Sequence, residues 1–72
     1  MAKTIDPKTL SALILRGCEE AGWDPWELDH DGQLFAAEIA VNTLIESVGE
    51  DTRTGRMWQR YERAIIRERA TR

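Results

Sequence analysis

The 72-residue chain holds one cysteine, one histidine, two prolines and no long apolar run. A single thiol, Cys18, excludes an intrachain disulfide, and no grouping of Cys and His has the spacing of a structural zinc site. His30 is the only imidazole. Ser11 and Ser47 fall within helical segments with no base beside them in sequence, and Cys18 lies on an apolar helix stripe where a thiol is inert. No glycine-rich loop ends in Lys and Ser or Thr, so a phosphate cradle of the Walker type is missing. Asp29, His30 and Asp31 offer metal-ligating atoms, but neighbouring side chains diverge and the ligand count falls short. No catalytic residue, metal or cofactor is expected.

Nothing in the chain reaches the roughly 18–20 apolar residues of a membrane span. The first seven residues lack an apolar stretch of signal-peptide length, and an acid follows at once. Together with the lone thiol, this leads us to expect a cytoplasmic protein with no membrane partner. Internal repeats, low-complexity tracts and linkers are lacking too, so residues 1–72 form one domain.

What the chain does have is a divided charge. Residues 1–51 carry eleven acids against three bases, a net of −8; residues 52–72 carry seven arginines against two glutamates, a net of +5. An acidic part and a basic part equip a protein to bind itself, an acidic partner or a basic one.

Helical periodicity runs through most of the remainder. Asp6 caps a first helix with Pro7 at its first position, and Leu10, Leu13, Ile14, Gly17, Cys18 and Ala21 form one apolar stripe up to Gly22. Trp23 to Leu28 reads as a single helical turn. Asp24 and Glu27 have capping-box spacing, and Trp23 and Leu28 are placed for a hydrophobic staple. A second helix runs from about Gln33 to Val48, with Leu34, Ala37, Val41, Leu44, Ile45 and Val48 on one side, widened by Ala36 and Ala40. Phe35 and Ile39 lie on another side of it. A third helix starts within 51–55 and runs to about Arg69. Its apolar face is Met57, Trp58, Tyr61, Ala64 and Ile65. Beside that face, Arg53, Arg56, Arg60, Arg63 and Arg67 share an arc of roughly 80°. No segment alternates at period two for long enough to make a strand. The expected fold is all-α: a small three-helix bundle with a short Trp-rich helical turn between the first two helices.

Two surfaces stand out as candidate sites. One is an acidic corner, with Trp26, Glu27, Asp29 and Asp31 as contact residues: carboxylates steer a basic partner in and a tryptophan anchors it. Trp23 and Trp58 are assigned to the core, leaving Trp26 as the exposed anchor. The other is the basic side of the third helix, represented by Arg56, Arg60, Arg63 and Arg67. A domain this small yields only about 3–5 kcal/mol from its own core. A second apolar patch on the second helix therefore suggests a homodimer with Phe35 and Ile39 in its interface.

The leading functional expectation is a non-enzymatic regulatory module for protein–protein interaction, of the kind a phage-encoded inhibitor represents, which blocks or recruits a host macromolecule. The second is a small DNA-binding transcriptional regulator that sets its arginine-rich third helix on nucleic acid. The acidic balance, with a pI near 5.0, weighs against the second.

Overall fold

A computed structural model describes residues 5–71. Three helices account for most of them: α1 (Pro7–Ala21), α2 (His30–Val48) and α3 (Arg53–Ala70), with a single 3-10 turn at Pro25–Glu27 between α1 and α2. The described residues contain no strand, and the chain is a small all-α three-helix bundle.

Each helix begins on a side-chain cap. Asp6 accepts from the Thr9 backbone N–H (3.1 Å), with Pro7 at the first helical position as expected. Asp29 accepts from the Gly32 N–H (2.8 Å), which starts α2 at His30, three residues ahead of the expected Gln33. The apolar pattern marks only where a helix becomes buried, whereas an aspartate followed three residues on by a free N–H fixes where it begins. Thr52 caps α3: its hydroxyl accepts from the Gly55 N–H (2.9 Å) and donates to the Gly49 carbonyl (2.8 Å). Helix α1 closes at Gly22, which adopts the left-handed conformation (φ 77°), and the Trp23 N–H reaches back to the Cys18 carbonyl (2.8 Å).

Helix α2 is the centre, with α1 and α3 packed on it. Leu13, Leu34, Ala37, Ala40, Val41, Ile45 and Ile65 form the buried cluster, and Ile5, Leu10, Ile14, Leu44, Trp58 and Tyr61 pack around it. Small residues set the spacing. A Cβ on Gly17 would overlap the backbone of Ala36, itself fully buried, so α1 and α2 meet there almost backbone to backbone. Gly55 packs in the same way against the Gly49 carbonyl and holds the start of α3 onto the end of α2.

Two core assignments change. Trp58 is half-buried rather than enclosed: it packs against the cluster and pairs with Tyr61, ring centroids 5.4 Å apart. Trp23 is not core at all. It is 39% exposed and lies against Phe35 at 5.8 Å between centroids. The turn after Gly22 carries it past the end of α1 and out to the rim of the bundle, so it covers an edge of α2 instead of filling the interior.

Candidate interaction surfaces

The Trp-bearing turn is built from its own backbone and one aspartate. Asp24 Oδ1 accepts from the Trp26 N–H (3.0 Å), the Glu27 N–H donates to the Asp24 carbonyl (3.0 Å) and the Leu28 N–H to the Pro25 carbonyl (3.4 Å). The Asp24 side chain therefore closes a tighter turn than the capping box its spacing suggested, reaching the second residue on rather than the third. Gln33 of α2 donates through Nε2 to the Pro25 carbonyl (3.3 Å) and ties the turn to the bundle. Held in this way, Trp26 is 89% exposed, the most open large apolar side chain among the described residues.

Trp26 forms one wall of a shallow open groove of about 240 Å³ between the turn and α1. Leu15, 56% exposed, stands on the other side, with Ile14, Ser11, Pro25 and Gln33 completing the lining. Asp24 and Glu27 flank Trp26 in the turn, and Glu19 lies one helical turn on from Leu15. All three are exposed. Of these residues, sequence reasoning assigns Trp26 and Glu27 to a contact surface, and it misses Leu15 and the groove. The available signal was that Leu15 is an apolar residue off the stripe of α1, with no neighbour assigned to cover it.

The other two acids assigned to this surface do different work. The Asp29 carboxylate is spent on capping α2, and Asp31 belongs to a brace between α2 and α3. Arg69 reaches back from the end of α3, placing Nε 3.0 Å from Asp31 Oδ1 and Nη1 2.9 Å from Glu38 Oε1. Its guanidinium also sits 5.0 Å from the centroid of the Phe35 ring. Hydrogen bonds to Asp31, then to Glu38, raise the Arg69 pKa above its already high ordinary value, so this cation holds its proton at any workable pH. Arg69 follows Ile65 by four residues and so points toward α2, away from the row formed by the other arginines.

This brace changes the reading of the second apolar patch. Trp23 flanks Phe35 and Arg69 lies over its ring; Phe35 remains 41% exposed, and Ile39 is half-buried. The chain itself thus supplies part of the cover that a second copy was expected to provide.

On α3, Arg53, Arg56, Arg60, Arg63 and Arg67 are all exposed, and no carboxylate of the described residues lies within ion-pairing distance of them. The described intrachain ion pairs use Arg16 and Arg69 instead, Arg16 Nε lying 3.4 Å from Glu20 Oε2. The acidic half of the molecule therefore makes no described ion pair with the basic row. Among the described residues no group of three or more His, Cys, Asp or Glu side chains is placed to hold a metal ion, and no helix is long and apolar enough to cross a membrane. The chain matches no protein-family model, no curated protein and no solved structure.

Proposed function

We propose that this protein is a non-enzymatic regulatory module that binds a basic protein partner through the groove between Trp26 and Leu15. One observation carries the reading: a tryptophan 89% exposed, on a turn held by its own hydrogen bonds and by Gln33, beside a second exposed apolar side chain. Leaving an indole and a leucine side by side in water forgoes roughly 25 cal/mol for every Å² of apolar surface. A partner recovers that free energy when it covers them. Tryptophan is also the side chain most enriched at the energetic centres of interfaces, because it supplies large area at the entropy cost of two rotatable bonds. Asp24, Glu27 and Glu19 at the margin favour a partner surface carrying Lys or Arg, chiefly by speeding encounter. Occupying the groove would block or recruit that partner, as an inhibitor of phage type does.

The test is affinity capture from a bacterial lysate with three baits: the unaltered chain, Trp26→Ala, and Glu46→Ala as a surface control away from the groove. The reading requires a protein retained by the unaltered chain and by the control but lost with Trp26→Ala. A set of captured proteins identical for all three baits would contradict it.

A further inference from the structure

The arginine row of α3 plays no part in the groove, and its chemistry points elsewhere. We infer that Arg56, Arg60, Arg63 and Arg67 form a second binding surface, which lies in the major groove of duplex DNA and contacts phosphates and base edges.

Three observations favour this occupant. The first is that the row is made of charge alone. On a helix advancing 100° per residue, the roughly 60° arc that holds these four side chains contains no apolar residue to anchor a protein partner. Phosphate binding needs no such anchor, because the release of condensed counterions drives it. The second is residue type. Both lysines of the chain, Lys3 and Lys8, lie near its start, and every cation after Lys8 is arginine. The planar guanidinium fork suits two-point contact with a phosphate or with the O6 and N7 atoms of guanine. The third is the state of these groups: four exposed guanidiniums with no carboxylate partner among the described residues, in a chain whose Arg16 and Arg69 both have one.

The shape of the helix narrows the choice of nucleic acid. Between Arg56 and Arg67 the row spans about 16 Å, and a helix of this diameter enters the major groove of B-form DNA. The deep, narrow major groove of duplex RNA does not admit one. Single strands are bound by stacking bases on aromatic rings, whereas the aromatics of α3, Trp58 and Tyr61, are turned toward the core. The overall charge of −3 does not cancel the row, since Arg53–Ala70 carries six arginines against two glutamates. Glu50 and Asp51 lie just before the helix and oppose DNA at that end, which is why Arg53 is left out of the surface.

The test is fluorescence anisotropy of a labelled 20-base-pair DNA duplex titrated with the full chain at 50 and 200 mM salt. Two to four of the arginines on phosphates give a slope of log K against log salt between about −1.8 and −3.6, so affinity should fall roughly 12- to 150-fold across that range. The double variant Arg60→Glu with Arg63→Glu should abolish binding at 50 mM salt while its circular dichroism remains that of the unaltered chain. Arg16→Glu, on α1, should leave binding unchanged. No binding at 50 mM salt overturns the inference, as does binding that survives the double variant. Equal affinity for polyglutamate of matched charge would overturn it in favour of an acidic protein, and tighter binding to the single strand would remove the groove placement. Trp26→Ala should bind DNA normally, so this surface and the Trp26 groove stand or fall separately.

Discussion

Gly17 and Gly22 are both glycines of α1 and its cap, yet they are required for different reasons. At Gly17 the backbone is ordinary helix, and the constraint is space: any Cβ meets the Ala36 backbone, which cannot move without parting the helices. At Gly22 nothing lies within 4 Å of a Cβ, and the constraint is the positive φ of 77°. Gly17→Ala should therefore lower unfolding free energy by about 1–3 kcal/mol or more, as overpacking does. Gly22→Ala should cost about 1–2 kcal/mol through backbone strain alone. Urea titrations of the two variants check this, and a larger loss at Gly22 would contradict the packing described for α1 and α2. Asparagine, which tolerates left-handed backbone, should partly restore position 22 and do nothing for position 17.

The helices owe their limits to short polar side chains and their faces to apolar spacing. Thr52 shows how much one residue can carry at a junction, since its hydroxyl serves the glycine that closes α2 and the first turn of α3 at once. Thr52→Ala should cost about 1–2 kcal/mol, the upper part of the usual range for a cap, and Thr52→Ser should cost far less. Unfolding midpoints for the pair decide it; equal losses would mean that the methyl group, not the hydroxyl, matters. Both stripes were readable in the sequence because burial repeats at three and four residues: Leu13, Gly17 and Cys18 on α1, and Leu34, Ala37, Val41 and Ile45 on α2, are buried where the pattern puts them. The start of α2 and the place of Trp23 were not readable, because each depends on the path of the turn after Gly22. That path follows from side-chain hydrogen bonds of Asp24 and Asp29, and periodicity carries no information about them.

At the scale of the whole molecule, charge does two jobs that the sequence alone does not separate. Arg69 is consumed in holding α3 to α2, while the row from Arg56 to Arg67 faces solvent. Arg69→Ala should lower the denaturation midpoint and uncover Phe35, and added salt should reduce the difference from the unaltered chain because the pair with Asp31 is partly exposed. A midpoint unchanged at low salt would show that the brace contributes nothing. The candidate groove has the same divided legibility. Trp26 and Glu27 were visible as an aromatic and an acid in a turn, but Leu15 joins them only through the packing of α1 against that turn.

The most direct measurement is the dissociation constant of Trp26→Ala for the protein captured by the unaltered chain, taken beside the variant's unfolding free energy. A side chain this exposed contributes little to folding, so stability should stay within about 0.5 kcal/mol. Affinity should fall roughly 30-fold or more, the loss expected when an interface anchor is removed. Unchanged affinity, or a variant that fails to fold, would contradict the account.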